Sequence, residues 1–459
     1  MRVLIAGGGQ VGTLIARRLI REGNDITIVE SDAQRCRQIE AELDAQVVHG
    51  SAARVDSMRR AGVADAQMLI AVSNADEVNL LACMIAQVES PSGIIKVARL
   101  RTHEFEHWRR IATACQVSLD LVIHPETHIA DRIMRVMDLP GVSDVFDFAG
   151  GEVRLFGMSL KADNWVVGKT LEQLDRASPP RDSLVAMIFR GPQVIIPRGS
   201  EVLHDGDHVY ILATRRNFAD VLRFMGLTPR RAPRSVFILG GKQIGILAAQ
   251  RLEQRGVAVK LFEQDAERAE RLAGMLERTI VVQADGTEQE VLKEEGLERA
   301  DAFLALTNDD EDNIIASLLA RRLGVGKIVA LVNRLNYLSM AQVLGVSTTV
   351  SPRLATVDGI LQFVRQGRVL SVTTFRAEES EAIELLASEG SRYVGKPLRD
   401  LRFPAGAIVG AIVRPDGTVV VPRGSETISA GDRVIFFALE SVVPELEHAF
   451  LATQGRRSK

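Results

Sequence analysis

The sequence predicts an α/β protein in which two doubly wound parallel-sheet domains are each followed by a small α+β module. Three observations carry this. Landmarks of the first half return in the second half in the same order. Each half opens on short apolar runs alternating with helical patterns. That alternation then gives way to short strands punctuated by Gly and Pro.

The repeat comes first, because it sets the plan of the chain. Gly7-Gly8-Gly9-Gln10-Val11-Gly12 returns as Gly240-Gly241-Lys242-Gln243-Ile244-Gly245, an offset of 233, and Glu30 returns as Glu263 at the same offset. Asn74-Ala75-Asp76-Glu77-Val78-Asn79 returns as Asn308-Asp309-Asp310-Glu311-Asp312-Asn313 at 234. Val167-Gly168-Lys169 returns as Val394-Gly395-Lys396 at 227, and Pro197-Arg198-Gly199-Ser200-Glu201 as Pro422-Arg423-Gly424-Ser425-Glu426 at 225. Chance matches do not keep their order and drift by so few residues, so the chain is an internal duplication.

In the first half, Val3–Ala6, Ile26–Val29, Met68–Val72, Ile94–Ala98 and Leu119–Ile123 are apolar runs suited to parallel strands buried on both faces. Between them lie helical spacings such as Val11, Leu14, Ile15 and Leu19, which imply βαβ units. From about Gly151 the character changes. Pro179-Pro180, Gly191-Pro192 and His204-Asp205-Gly206-Asp207 punctuate short strands such as Val194–Ile196 and His208–Leu212. Thr228-Pro229-Arg230-Arg231-Ala232-Pro233-Arg234 reads as the linker to the second copy. Ile129, Ile133, Val136 and Met137 form an apolar helical stripe that Val357, Ile360, Leu361 and Val364 repeat. Such a stripe suits ordinary core packing or a helix that crosses to a partner domain and builds a subunit interface. The expected boundaries are a parallel-sheet domain over 1–124, a crossover helix over 125–143, a small domain over 144–228 and a linker over 229–234. The second copy runs 235–350, 351–368 and 369–453.

At 459 residues the chain has room for about three domains of ~150 residues, and the repeat makes the number four. The 56 Lys+Arg against 59 Asp+Glu show none of the basic surplus of a nucleic-acid binder. Aromatic residues are 5%, so the core must be built from Val, Ile, Leu and Ala. Cys36, Cys83 and Cys115 are odd in number and form no CxxC pair. This speaks against a disulfide framework or structural zinc and for a reducing compartment. No apolar run approaches the ~20 residues of a membrane span, and the N-terminus does not read as a signal peptide.

Gly7-x-Gly9-x-x-Gly12 follows a short apolar strand and opens a helix, the context a dinucleotide fingerprint requires. Gly7 allows the tight turn, Gly9 lets the backbone approach a pyrophosphate, and Gly12 allows close helix–strand packing. The helix N-terminus offers free N–H groups and a positive dipole end. Glu30 ends the second strand, where its carboxylate accepts from ribose hydroxyls and repels a 2′-phosphate. NAD(H), or an adenine nucleotide with free ribose hydroxyls, is therefore favoured over NADP. Gly50-Ser51, Ser73-Asn74 and Arg99 fall at strand ends bordering the same crevice, and Arg99 can pair with a phosphate. The second copy has Ala284-Asp285, Thr307-Asn308 and Leu331 at these places. It has Lys242 where the first has Gly9. Either the Lys242 ammonium binds phosphates as a point charge, or its side chain blocks the dinucleotide pose. The second site then holds a different nucleotide, holds one weakly, or stays empty.

Other motifs suggest chemistry without supporting it. His103-Glu104-Phe105-Glu106-His107 matches HExxH, with Glu126 downstream as a third ligand, but the second copy reads Asn333-Arg334-Leu335-Asn336-Tyr337 there. His124-Pro125-Glu126 lacks the downstream PCxxC of a zinc deaminase. Cys83 and Cys115 lie among apolar residues and read as core.

The module order, the paired glycine loops and the Asn-x-Asp-Glu-x-Asn blocks resemble, over essentially the whole chain, the tandem RCK/KTN family of Trk potassium-uptake regulators. The resemblance is carried by Ala6 to Gly12, Asp25-Ile26-Thr27-Ile28-Val29-Glu30, Ser73 to Asn79 and Thr307-Asn308-Asp309-Asp310-Glu311. It implies paired RCK (regulator of potassium conductance) domains, a Rossmann-like N-terminal and a small C-terminal one, present twice. It also implies a cytosolic subunit, peripheral on the inner membrane face beneath a potassium-translocating membrane protein. Such subunits bind NAD(H) or ATP/ADP, and four chains make a ring of eight RCK units. Family nucleotide positions carry over onto the Gly7 loop, Glu30, Gly50-Ser51, Ser73-Asn74 and Arg99. In the second half Gly240, Gly241, Glu263 and Asn308 match and Lys242 departs. The full candidate set adds Gln10, Val11, Gln243, Ile244, Asp285 and Thr307. No catalytic or metal-ligating residue is assigned. The alternative, an NAD-dependent oxidoreductase, needs an acid/base such as His or Lys near the nicotinamide. His204 and His208 of the first small module face Ser429 or Ala430 and Arg433 in the second, so the copies share no histidine.

Overall fold

The computed structural model of the chain describes residues 1–90, 93–101, 117–139, 141–191, 193–227, 233–346, 348–364, 369–375 and 380–450. The HExxH stretch, Cys115 and residues 228–232 of the linker lie outside the described residues.

The first parallel sheet comprises β1 (Arg2–Ala6), β2 (Asp25–Glu30), β3 (Gln46–His49), β4 (Met68–Ala71), β5 (Ile95–Arg99) and β6 (Leu121–Ile123). Its order is β3-β2-β1-β4-β5-β6, so the direction of winding reverses between β1 and β4. Ile5 pairs with Ile28 on one side and Ile70 on the other, and all three are buried, as a sheet covered by helices on both faces requires. The helix Gln10–Arg21 turns Leu14, Ile15 and Leu19 inward. The chain continues β5 one residue past the expected Ala98, which places Arg99 at its carboxyl end.

The same architecture recurs in β12 (Ser235–Leu239), β13 (Ala258–Glu263), β14 (Ile280–Gln283), β15 (Ala302–Ala305), β16 (Lys327–Leu331) and β17 (Thr348–Val350), ordered β14-β13-β12-β15-β16-β17. Two five-stranded antiparallel sheets form the small domains. The first holds β7 (Asp144–Phe148), β8 (Val153–Ser159), β9 (Ser183–Arg190), β10 (Gln193–Ile195) and β11 (His208–Thr214), in the order β10-β9-β11-β8-β7. The second holds β18 (Val369–Phe375), β19 (Ser380–Leu386), β20 (Ala407–Val413), β21 (Val419–Val420) and β22 (Arg433–Leu439), in the order β18-β19-β22-β20-β21. The first of these sheets begins at Asp144, ahead of the change of composition near Gly151. Phe148, Met187, Phe189 and Tyr210 of one small sheet share a core with Phe375, Ile435 and Phe437 of the other.

The chain divides into two compact units, and the division shows what the apolar stripes pack against within the chain. One unit is Met1–His128 together with Pro352–Val364; the other is Ile129–Ser351 together with Arg365–Lys459. In the first unit the helix Pro352–Val364 buries Val357, Ile360 and Leu361 in the first parallel domain. Gly359 permits this approach, since a Cβ there would stand 3.3 Å from Ile123 Cδ1. In the second unit the part of the helix Pro125–Met137 from Ile129 onward buries Ile133 and Val136. Asp131 and the following Asp138 pair with Arg251 at 2.7 Å and Arg255 at 3.0 Å, beside the helix Gln243–Gln254 of the second parallel domain. Each crossover helix therefore packs on the parallel domain of the other half of the same chain. No helix of the described residues is long and apolar enough to cross a membrane.

Candidate functional site

In an open α/β sheet the crevice lies at the carboxyl ends of the strands, where the order reverses. Here that point is the gap between β1 and β4, and the Gly7 loop and Ser73 meet in it. Gly7 has φ +109°, in the left-handed region, and a Cβ on it would lie 2.8 Å from Ser73 N and Cα. A Cβ on Gly12 would stand 1.9 Å from Gly7 O, so only glycine lets the helix start this close to the strand. Gly9 is different: a Cβ there would meet nothing nearer than Arg35 Nη1 at 3.8 Å. Its surroundings are open, as a surface that receives a phosphate must be. Gly9 is the N-cap of the helix and no side chain caps that end, so first-turn N–H groups are left for a ligand. Val11 and Ile244 turn their side chains into the core, so only their backbone N–H groups can serve a ligand.

Glu30 is buried and already engaged. Its Oε2 accepts from Gly8 N–H at 2.8 Å, and its Oε1 accepts from Asp32 N–H at 2.8 Å and Ser31 Oγ–H at 3.2 Å. The carboxylate thus braces the glycine loop while keeping lone pairs for further donors. Sequence reasoning gave Gly8 no role of its own. In the structure a Cβ on Gly8 would lie 2.5 Å from Ile39 Cδ1, and on Gly241 2.3 Å from Leu272 Cδ1. The side chain on the following helix closes tightly on the middle glycine, and that packing is invisible in a local motif.

The remaining first-site residues converge on the same rim. Gly50 N–H donates to Glu30 O at 2.8 Å, and Ser51 Oγ accepts from Ala53 N–H. Asn79 holds the β4–β5 junction: its Oδ1 accepts from Ser73 N–H at 2.8 Å and its Nδ2 donates to Arg99 O at 2.8 Å. Arg99 Nη2 donates to Ser73 O at 2.8 Å and Asn74 Oδ1 at 3.2 Å, while its buried Nε finds no partner among the described residues. Burial, then repulsion from Arg101, pushes the guanidinium down to about 10. Arg99 is therefore a buried strut of the rim as well as a cation that an anion would stabilise.

The second site repeats the backbone. Gly240 has φ +102°, and a Cβ on Gly245 would stand 2.0 Å from Gly240 O. Lys242 is exposed at φ −85° and ψ −177°, beside −66° and −176° for Gly9. The lysine does not distort the loop, because the Gly9 position never needed a glycine backbone. Glu263 braces Gly241 N–H at 3.1 Å as Glu30 braces Gly8, but its Oε1 also carries Arg268 Nη1 at 3.2 Å. Asp285 accepts from Thr287 and Gln264, Thr307 N–H donates to Asn313 Oδ1, and Asn308 is exposed at the rim. With Leu331 in place of Arg99, acidic groups dominate this rim. Burial and the neighbouring Asp309, Asp285 and Glu311 push the Asp312 carboxyl up.

Among the discounted motifs, Glu126 is buried and paired with Arg101 at 3.3 Å, and no group of described residues could hold a metal ion. Cys83 is fully buried, and burial pushes its thiol up to about 12.

A duplicated chain with two switch-point glycine loops, each followed by a small antiparallel domain, is a tandem protein of the doubly wound nucleotide-binding fold class. The comparisons place it more closely. Residues 3–125 and 236–352 match the TrkA-N domain, and residues 155–226 and 382–451 the TrkA-C domain, so the chain belongs to the TrkA family. The Trk system potassium uptake protein TrkA of Halomonas elongata is 37% identical over 445 residues, covering 96% of both chains. Among solved structures, the GsuK channel bound to NAD aligns with a TM-score of 0.58 at 18% identity, covering 98% of this chain and 78% of that one. GsuK bound to ADP aligns at 0.50 and 16%, covering 79% and 69%. At such identities the likeness shows the fold alone.

Proposed function

We propose that this chain is a cytoplasmic, nucleotide-binding regulatory subunit that gates a Trk-type potassium channel or transporter in response to NAD(H), ATP/ADP or both. The observation that carries the reading is the first switch-point crevice, with an uncapped helix N-terminus, an open Gly9 and an Arg99 Nε that finds no partner among the described residues. These features fit a nucleotide diphosphate moiety: the loop N–H groups and Arg99 would hold phosphates, and Glu30 the ribose. Titration of potassium flux through the reconstituted partner with saturating ATP and then ADP tests gating; equal flux in both would sink it. The four domains at 1–124, 144–228, 235–350 and 369–453, joined by the crossover helices, are part of the same reading. So is a second site formed by Gly240, Gly241, Lys242, Gln243, Ile244, Glu263, Asp285, Thr307 and Asn308.

At the first site Glu30→Ala should weaken NADH and ATP at least about tenfold, since it removes both a ribose acceptor and the brace on Gly8. Calorimetric titration giving wild-type affinity for both ligands would refute the placement.

Assembly into a homotetrameric ring is supported by unpaired apolar faces. The helix Asp76–Glu89 exposes Leu81, Met84 and Val88, the last 80% accessible. Separately, the helix Leu335–Val343 and its next residue expose Met340, Val343 and Leu344, with Val343 84% accessible. Val88→Asp and Val343→Asp should each convert the tetramer to smaller species in light scattering. Tetramers of unchanged stability in both would exclude these faces.

A further inference from the structure

Arg35 and Arg268 are copies of one position, separated by the same 233 residues as the loops they flank. Their backbones are held alike. Asp32 and Asp265 cap the helices Ala33–Glu42 and Ala266–Met275, accepting from Arg35 N–H at 2.9 Å and Arg268 N–H at 2.7 Å. The side chains diverge. Arg268 Nη1 lies 3.2 Å from Glu263 Oε1 and so ties up the carboxylate that faces a ribose. Arg35 makes no such pair with Glu30; its Nη1 reaches over Gly9, 3.8 Å from where a Cβ would stand. At the first loop the nearest atom over Gly9 is Arg35 Nη1 itself, whereas the corresponding position of the second loop is the exposed Lys242.

We infer that Arg35 is a phosphate-binding residue of the first site, whereas Arg268 masks the ribose carboxylate of the second, so the two halves select different nucleotides. This rests on the nucleotide-binding reading above. The first site, with Arg35 and the buried Arg99, gains affinity with each added phosphate. The second has Lys242 at the loop and an acidic rim of Asp285, Asp309 and Asp312 that opposes a highly charged ligand. An arginine guanidinium meets a phosphate through paired, charge-assisted hydrogen bonds, which a lysine offers only as a point charge.

Hydrogen exchange of the full chain, read at peptides over residues 7–12 and 240–245 during titration with AMP, ADP, ATP and NADH, resolves each site separately. Arg35→Gln should weaken ATP protection of the first loop about tenfold, weaken AMP protection much less, and leave the second loop unchanged. Arg35→Lys should recover part of the loss. Arg268→Gln should tighten nucleotide protection of the second loop by freeing Glu263. An Arg35→Gln effect that is absent or equal for AMP and ATP, or an Arg268→Gln variant that binds no tighter at the second loop, overturns the assignment. Absence of protection by any nucleotide in the unmutated chain overturns the nucleotide-binding reading itself, and this one with it.

Discussion

Gly12→Ala is expected to cost at least a hundredfold in nucleotide affinity at the first loop, while Gly9→Ala, whose Cβ only crowds the phosphate from outside, costs about tenfold and leaves the fold intact. The two glycines look equivalent in the motif, but their surroundings differ. A Cβ on Gly12 falls 1.9 Å from Gly7 O, which forces the helix away from β1 and spoils the alignment of its first N–H groups. Overpacking of this kind also destabilises the domain by about 1–3 kcal/mol. A Cβ on Gly9 meets only the end of a flexible arginine, and the second copy already carries Lys242 there. Calorimetric titration of both variants with NADH and ATP, alongside circular dichroism to show that each is folded, checks the contrast. Equal losses at the two positions would mean that the loop geometry is not what binds.

The second large effect concerns Lys327, the first residue of β16. Its ammonium is buried and donates to Leu139 O at 3.1 Å and to Val142 O, just beyond the first crossover helix. The acceptors favour the charged form and burial the neutral one; burial wins, lowering Lys327 to about 7 from 10.5, with Asp144 opposing. Asp144 is itself shared among Arg132, Ser143 Oγ and Tyr210 Oη, with His208 Nε2 at 3.9 Å. Between about pH 7 and pH 10.5 the unfolded chain holds a proton that the folded chain lacks. Stability from this group is therefore complete above 10.5 and lost as pH falls through about 7. Lys327→Met removes the titration and the two hydrogen bonds together. Protection of the 137–144 segment, corrected for intrinsic exchange, should rise from pH 6.5 to pH 9 in the wild-type chain relative to Lys327→Met. Parallel profiles would show that Lys327 keeps its proton throughout.

Much of the molecule was legible before any coordinates. The duplication shows as landmarks that return in order, and the parallel strands and the crevice residues Gly7, Gly12, Glu30 and Ser73 follow from short patterns within each half. Short-range sterics and alternation govern such patterns: a strand end, a tight turn and a helix start leave few choices of residue. Arg99 shows where this stops. Its place at a strand end was legible, but its burial against Ser73 O and Asn74 depends on β4 and β5 lying side by side. The same holds for Gly8, on which Ile39 of the next helix closes, and for Lys242, which leaves the loop backbone unchanged.

The sequence by itself determined the twofold repeat, which is read by matching its halves, and the fold class and the chemistry offered at each loop, because those rest on local backbone geometry. Only the tertiary structure decided that each crossover helix serves the other half, that Arg35 and Arg268 turn different ways, and that Lys327 is buried. Those outcomes are set by contacts between segments distant in the chain. An apolar stripe or a long cationic side chain does not by itself encode which partner it meets; the packed neighbours select one.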